Sequence, residues 1–599
     1  MAVTSTLPGR AGRTRPAAWA RALRRPLGEA AVAVEVVLGT LIVLAAAERR
    51  SHLIYAHHGA FTRWFSGPLG GLWPTLTSSP ARLHAAFAAA VLAMAVAWLV
   101  VVACGTAVRP RVVVVSAVAL NVVFLLCPVL YYTDVFNYIG YARMAVAHHL
   151  DPYTQLPLLQ PGDPVFAYSN WHRLRSPYGP LFTVALMPLA ALPLPVAYWG
   201  YKLLATLASL GLLAALWRCA GRLGRPPAAA VAFVGLNPVV LVYAEGGKHN
   251  DLLMMALVMA GALLLLTRRE AAGGVALVAA VAVKVSAALL APVLILGAAR
   301  RRGAVAGALG AALGLGAMTL VLFGPHGPDL ADQGRLVDSY SLANLLGLAL
   351  GRGGDDPGLR AALRIVLAAS VLVCSAVAWR RRRWVEPAGW AALAGVACAS
   401  WLMPWYVMWA LPFAALSRSR ALRIAAVAAV AYVVLIWTGQ GRIALHDLGV
   451  HPARTAVSHV NSTFTNSLLR DHPRRPSARR RSRHAAGRAR PSRRRSASSS
   501  PSPRSTTAGW APLALPAMRA WWCTPTSRTV APAARHPARS SAEMPAPEHR
   551  GGASRRIRRG ISLKAQSTSR TGSPSTRCTS RFQPAALSRR RRLSERSRR

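Results

Sequence analysis

Acidic and aromatic residues follow directly on an apolar run near residue 130, where residues 131–138 read YYTDVFNY. A carboxylate in this position, Asp134, is suited to act as a general base, because it can accept the proton of a hydroxyl group held against it. The aromatic side chains beside it, including Tyr138, offer flat apolar faces on which sugar rings can stack. The alternative interpretation is an ordinary polar residue at the end of a helix.

The next segment, residues 140–153, reads GYARMAVAHHLDPY and places apolar residues at helical spacing. Arg143 lies about one helical turn from Tyr138, so the spacing predicts that both side chains share one face. Asp151-Pro152-Tyr153 ends this helix, because proline cannot continue it. Further along, Ser176-Pro177-Tyr178-Gly179-Pro180 is a turn sequence that predicts a fixed loop.

A dense polar cluster occupies residues 245–251, EGGKHND, shortly after Asn237-Pro238. Gly246 and Gly247 permit a tight turn, and Asn250 is a candidate cap for a helix that begins at Asp251. Capping explains one polar residue but not five in succession. The cluster, with His249 in its middle, is therefore predicted to be functional.

Lys284 stands inside an apolar segment of a chain that has four lysines and 68 arginines. A cation in such a segment costs several kcal/mol by some estimates and is a candidate functional residue. An anionic partner such as a lipid phosphate would compensate its charge. The alternative is a lysine that extends to the membrane surface or is paired within the protein.

Long apolar runs surround these residues and predict an all-α polytopic membrane protein. The first, which follows an arginine-rich start, is interpreted as an uncleaved span. Runs of suitable length lie at 30–47, 85–104, 111–130, 197–217, 228–244, 251–267, 303–323, 361–379 and 421–438.

Arginine clusters predict the orientation of these spans, since basic residues concentrate on the cytoplasmic side. Alternate loops place every cluster inside if the N-terminus is cytoplasmic, and they place most carboxylates outside. Two segments, 271–299 and 387–417, carry arginine on both flanks. Each is too long for one span and too short for two, so each is predicted to be a re-entrant pair, which gives about 11–13 transmembrane or re-entrant helices. One tilted helix in each is the alternative.

Three regions follow from this pattern: a cytoplasmic basic N-terminus (1–28), a polytopic membrane domain (29–466) with its main external loop at 131–196, and an Arg/Ser/Pro-rich tail (467–599). The tail is interpreted either as disordered or as the product of a frame-shifted reading of a GC-rich gene. Because much of the excess arginine lies there, the net charge of +52 does not indicate nucleic-acid binding by the membrane domain.

Several kinds of site are not indicated by the sequence. Neither GxGxxG nor GxxxxGK[ST] occurs in a strand–turn–helix context, so a nucleotide-bound donor or ATP coupling is not expected. The seven cysteines form no CxxC pair, and no metal-ligand spacing involves His148 or His149. No cofactor and no metal ion are therefore expected.

Taken in order, these motifs resemble those of actinobacterial polyprenol-phosphomannose-dependent alpha-1,6-mannosyltransferases. Those enzymes belong to the GT-C class of membrane glycosyltransferases, close to glycosyltransferase family 87. The matching residues are Asp134, Tyr138 and Gly140; Asp151-Pro152-Tyr153; Ser176-Pro177-Tyr178-Gly179-Pro180; Leu236-Asn237-Pro238; Gly246-Gly247-Lys248-His249-Asn250-Asp251; Val283-Lys284; and Pro404-Trp405-Tyr406. They spread over about 130–410. In many GT-C enzymes the catalytic loop follows the first span, whereas here it follows the third.

The resemblance implies a plasma-membrane enzyme of GT-C fold that transfers a hexose, expected to be mannose, from a polyprenyl phosphate to a lipoglycan or lipid-linked mannan outside the membrane. Asp134 would be the catalytic base, and Lys284, His249 and Arg143 would face the donor phosphate. Residues lining the sugar and acceptor would be Tyr138, Asp151, Tyr153, Tyr178, Asn250, Asp251, Trp405 and Tyr406. The expected partners are the donor, the acceptor and membrane lipids. The alternative function is a transporter or flippase for a lipid-linked or small polar substrate, since re-entrant segments also surround transporter sites.

Overall fold

The computed structural model of the chain describes residues 15–48, 51–54, 62–72 and 79–469. Within these residues every regular element is a helix. The first ten α-helices are α1 (Arg15–Ala47), α2 (Arg63–Ser66), α3 (Pro80–Cys104), α4 (Pro110–Leu126), α5 (Asp134–His148), α6 (Pro180–Ala190), α7 (Leu194–Arg222), α8 (Pro227–Gly235), α9 (Asp251–Leu266) and α10 (Glu270–Val283). The remaining ten are α11 (Ala291–Leu296), α12 (Arg301–Phe323), α13 (Leu330–Gln333), α14 (Leu342–Ala349), α15 (Pro357–Arg381), α16 (Val385–Cys398), α17 (Leu411–Leu416), α18 (Arg420–Trp437), α19 (Gln440–Asp447) and α20 (Ala456–Leu468).

Six helices of the described chain are long and apolar enough to cross a membrane, and a bent pair would make a seventh. The six lie in α1, α3, α7, α12, α15 and α18. Shorter apolar helices of 10–17 residues, among them α4, α9, α10 and α16, complete the bundle. The prediction of an all-α polytopic membrane protein is confirmed.

Two of the long helices face outward with apolar side chains, which is what lipid contact requires. Leu313 and Val321 on α12 are 75% and 82% exposed, and Leu372 on α15 is 70% exposed. Helix α12 packs on α10, makes smaller contacts with α6 and α11, and buries Ala304 and Phe323. A surrounding hydrocarbon phase would cover the rest of its apolar surface.

The bent pair joins α8 to a π-helical turn at Val239–Glu245, with a bend of 55°. Pro238 lacks a backbone N–H and so interrupts the hydrogen-bond ladder of the helix. The side chain of Asn237 takes over as acceptor for the backbone N–H of Val239, at 2.9 Å. The bend aims the following polar cluster toward α5 and α7.

The two segments predicted to be re-entrant are each broken in the middle. After α10, Lys284 has an extended backbone, a 3-10 turn covers Val285–Leu289, and α11 packs back against α10. After α16, a 3-10 turn covers Pro404–Trp409, and α17 packs back against α16. The first break therefore falls at Lys284 and the second at Pro404-Trp405-Tyr406.

Some predicted boundaries differ in detail from the structure. The basic N-terminal region becomes helical from Arg15, and the predicted external loop 131–196 contains α5 and α6. Two candidate spans, in α1 and α3, and the shorter apolar helix α4 precede Asp134. The tail from residue 470 onward, for which a disordered or frame-shifted origin was predicted, lies outside the described residues.

Candidate functional site

A cavity of about 370 Å³ lies where α5, the two broken segments and the end of α18 meet. Six residues predicted for the site line it: Asp134, Tyr138, Tyr178, Lys284, Trp405 and Tyr406. Much of the remaining wall is aromatic and includes Tyr131, Tyr132, Trp171, Tyr243, Tyr340, Trp401, Trp409 and Trp437. A concave pocket of aromatic side chains with a few charged groups is typical of a sugar-binding or other small-ligand site.

Asp134 is the first residue of α5, and the segment before it is tied to α7. The Nζ atom of the fully buried Lys202 donates to the carbonyl of Leu125, at 2.6 Å, and to that of Cys127. The backbone N–H of Val129 donates to the hydroxyl of Tyr198, at 3.1 Å. A lysine that satisfies carbonyl groups at the end of α4 replaces the hydrogen bonds that a helix end lacks. These contacts fix the segment directly before Asp134 and so fix the position of Asp134.

His249 reaches Asp134 from the polar cluster, with its Nδ1 atom 3.1 Å from the carboxylate Oδ2. Its ring stacks on Trp405, with centroids 3.3 Å apart, and meets the edge of Tyr132 at 5.2 Å. Burial lowers the pKa of His249, and the neighbouring Asp134 offsets this in part. The imidazole of His249 therefore lies directly behind the carboxylate of Asp134.

A buried ion pair holds the polar cluster itself. Lys248 donates to Glu245 and, at 2.6 Å, to the hydroxyl of Thr206, and Thr206 donates to Glu245 at 2.7 Å. All three side chains are buried. Removing one member of such a triad would leave an uncompensated polar group in the bundle, so the triad fixes the position of the residues that follow.

The turn in the cluster differs from the predicted one. The residue with positive φ is Lys248, at 50°, and Gly246 is helical. The glycines are needed for space, because a Cβ on Gly247 would lie 2.4 Å from Nε2 of His249. The prediction that Asn250 caps α9 is wrong, since its side chain makes no capping hydrogen bond.

Lys284 is paired within the protein. Its Nζ lies 2.5 Å from Oδ2 of Asp251, whose Oδ1 accepts from Nε1 of Trp409 at 2.7 Å. Asp251 is fully buried, whereas Lys284 keeps 16% of its side chain exposed toward the cavity. The ammonium group also lies 5.2 Å from the centre of the Tyr406 ring. This cation is therefore held by a carboxylate on one side while its cavity side stays open.

The SPYGP turn packs directly on the segment that carries Lys284. The backbone N–H of Gly179 donates to the carbonyl of Val283 at 3.1 Å. A Cβ on Gly179 would lie 2.0 Å from the carbonyl oxygen of Ala282, so only glycine allows this approach. Tyr178, the residue before Gly179, contacts Tyr138 edge to face, with ring centres 4.8 Å apart. This turn therefore joins two predicted parts of the site.

Asn250 lies one layer behind the cavity. It is fully buried and its Oδ1 lies 3.5 Å from the hydroxyl of Tyr138. His249 and Asp251 occupy the same layer and reach the cavity through Asp134 and Lys284. This polar cluster thus supports the lining residues from behind.

Three residues predicted for the site lie elsewhere. Arg143 does not line the cavity, since it pairs with Asp163 at 2.9 Å and also donates to the carbonyl of Ala190. Asp151 accepts from the backbone N–H of Tyr153 and the hydroxyl of Thr154, and so stabilises a turn. The hydroxyl of Tyr153 bonds to Thr183 at 2.8 Å. Nothing in these contacts connects the three residues to the cavity.

The residues on the opposite wall of the cavity were not predicted from the sequence. They include Asp338, Tyr340, Trp437 and Arg442, which come from the loop before α14 and from the end of α18 into α19. Burial raises the pKa of Asp338 to about 6, and Arg442 offsets part of this rise. Asp338 lies between the predicted spans 303–323 and 361–379, and Arg442 follows the last predicted span, 421–438, but no local pattern indicated either residue.

Within the described residues, no group of three or more His, Cys, Asp or Glu side chains could hold a metal ion.

Two family descriptions match the chain. Residues 34–300 match "Alpha-(1->6)-mannopyranosyltransferase, N-terminal domain", and residues 339–465 match "MptB C-terminal domain". The first range contains Asp134 and Lys284, and the second contains Trp405 and Arg442, so the cavity is built from both. No curated protein and no solved structure matches the chain.

Proposed function

Because the chain belongs to the alpha-(1->6)-mannopyranosyltransferase family, we propose that it takes mannose from a polyprenyl-phosphate donor and adds it to a lipoglycan or lipid-linked mannan at the external membrane face. The observation that carries this proposal is the aromatic cavity with Asp134 on its wall, backed by His249 at 3.1 Å. It offers a base, stacking surfaces and a cation in one place.

Asp134 is the general base of the proposed reaction. Its carboxylate accepts the proton of the acceptor hydroxyl as the hydroxyl oxygen attacks the anomeric carbon of mannose. The bond between that carbon and the phosphate oxygen breaks, and the phosphate leaves with its electron pair. One displacement inverts the anomeric carbon, so a beta-linked donor gives an alpha-linked product.

Lys284 stabilises the charge that develops on the leaving phosphate. Its ammonium is held by Asp251 and is open on the cavity side, so it needs little reorganisation during the reaction. His249 acts through Asp134 and is a positioning residue. Tyr138, Tyr178, Trp405 and Tyr406 supply ring faces for the two sugars.

The external location rests on charge placement. Arginine clusters of the membrane domain all fall on one side when loops alternate. Asp134 and Asp338 fall on the other side, where a donor with its phosphate at the membrane surface would present the sugar. This arrangement supports an extracytoplasmic active site.

The test is transfer of label from radiolabelled polyprenyl-phosphomannose into lipoglycan by membranes that contain the full chain. Asp134→Asn should lower the transfer rate at least about 100-fold, because general-base catalysis contributes about that much or more. Asp151→Asn, a carboxylate outside the cavity, is the matched control and should stay near the wild-type rate. Near-normal turnover of Asp134→Asn at normal membrane content would remove Asp134 from the role.

The same assay separates transfer from transport. A transporter or flippase would move the labelled lipid across the membrane without forming a glycosidic bond. The family matches favour transfer, and so does a cavity that carries a base next to stacking surfaces. Movement of label without a new glycosidic bond would overturn the proposal.

A further inference from the structure

Of the described residues that line the cavity, two carry a permanent positive charge, Lys284 and Arg442. Their surroundings differ. Lys284 is compensated by the fully buried carboxylate of Asp251, at 2.5 Å. Arg442 forms no ion pair within 4.0 Å with any carboxylate in the described part of the chain. Arg442 is therefore the cation of this cavity whose charge lacks a bonded counterpart.

The side chain of Arg442 is held in a fixed orientation by aromatic rings and one backbone group. Its guanidinium carbon lies 4.6 Å from the centre of the Tyr340 ring and 5.7 Å from that of Trp437. Its Nε donates to the carbonyl of Ile436 at 3.0 Å. Stacked and tethered in this way, an arginine loses little conformational freedom when its terminal nitrogen atoms bind a ligand.

The terminal nitrogen atoms of Arg442 have no hydrogen-bond partner among the described residues, and the side chain lines the cavity. Two parallel N–H groups of a guanidinium match two oxygen atoms of a phosphate. Asp338, on the same wall, does not bind these nitrogen atoms. Burial raises the pKa of Asp338 to about 6, and Arg442 offsets only part of this rise. An anionic group of a ligand would take the position opposite the nitrogen atoms of Arg442.

We propose that Arg442 is a second phosphate-binding residue of this cavity and contacts the phosphate of the polyprenyl donor and of the polyprenyl phosphate that leaves. This inference rests on the proposed function. It adds a bidentate contact to the single ammonium of Lys284, from a different part of the chain. The ligand chemistry is a phosphate ester on a lipid.

The test compares Arg442→Gln and Arg442→Lys with Arg335→Gln in the full chain, solubilised in detergent. Arg335 is the matched control, because its guanidinium also stacks on an aromatic ring, Phe464 at 4.0 Å, but does not line the cavity. Binding of polyprenyl phosphate is followed by quenching of tryptophan fluorescence, and donor and acceptor KM values come from the transfer assay.

Arg442→Gln should weaken polyprenyl phosphate binding and raise the donor KM, each about tenfold or more, with the acceptor KM unchanged. Arg442→Lys keeps the charge but loses the paired N–H groups, so its loss should be smaller. Arg335→Gln should match the wild type. If Arg442→Gln fails to fold, the partial loss in Arg442→Lys carries the test.

Two results would overturn the inference. One is unchanged lipid-phosphate binding in both Arg442 variants. The other is a raised acceptor KM with the donor KM unchanged, which would assign Arg442 to the acceptor. Absence of transfer by the wild type would instead reject the proposed function, because direct binding of polyprenyl phosphate is measured without any reaction.

Discussion

The pair of Asp251 and Lys284 gives a sharp test, because the two residues combine a structural and a chemical role. Lys284→Met would leave the carboxylate of Asp251 fully buried with only Nε1 of Trp409 as a partner. An uncompensated buried charge costs about 3–5 kcal/mol. Asp251→Asn would cost less, since Lys284 is 16% exposed and can turn toward the cavity.

The double variant, Asp251→Asn with Lys284→Met, should recover most of the stability. It contains no unpaired buried charge, and the asparagine oxygen can still accept from Trp409. We expect a coupling free energy of about 3 kcal/mol between the two sites, since contacting charged residues are strongly non-additive. Activity should not recover, because the ammonium that faces the donor phosphate is gone.

The measurement is a double-mutant cycle of unfolding free energies in mixed micelles, run beside the mannose-transfer assay. Additive stability losses would contradict the buried ion pair. Recovery of both stability and transfer in the double variant would show that Lys284 serves only to neutralise Asp251, and would remove it from phosphate binding.

Three further outcomes are expected. Gly179→Ala should lower the transfer rate strongly, because the new Cβ would lie 2.0 Å from the carbonyl oxygen of Ala282. Gly162→Ala, with open space around its Cβ position, is the control and should leave the rate unchanged. Equal rates in the two variants would contradict this packing. The pKa of Asp338 is raised to about 6, so the folded protein holds a proton that the unfolded chain releases. The free energy of unfolding should therefore fall as the pH rises from about 4 to about 6. Unfolding measured across this pH range should show the slope, and Asp338→Asn should remove it. Lys202→Met should lower the free energy of unfolding by about 2–4 kcal/mol, because it leaves two buried carbonyl groups without donors, and wild-type stability in the micelle titration would contradict the tether.

Residues that stand out from an apolar background were predictable from sequence. Lys284 and the EGGKHND cluster were predicted because a charged group inside a hydrophobic segment costs free energy, and such a group is therefore a candidate functional residue. Asp134 and Trp405 were found through short motifs beside such segments. In each case the signal was local.

Residues that reach the cavity from a loop or from the short helix α19 were not predictable in this way. Asp338 and Arg442 lie in polar stretches, where a charged residue costs little and carries no local signal. Arg143 was expected to face the site, because helical spacing places it near Tyr138. The loop that follows α5 instead brings Asp163 against Arg143, and the two side chains form an ion pair. A pairing across a loop depends on the path of the chain and leaves no periodic pattern.

The long apolar segments are enough to establish a helical membrane protein, because lipid demands such segments with all backbone groups bonded internally. The polar residues that these segments carry can also be read from the sequence. Their partners depend on how the helices pack: Asp134 lies beside His249, and Lys284 pairs with Asp251. Arg442 lies against aromatic rings and pairs with no carboxylate among the described residues. The partner of each charged side chain determines whether its charge can still bind a ligand. These partners come from segments that are distant in sequence, so they meet only when the helices pack together.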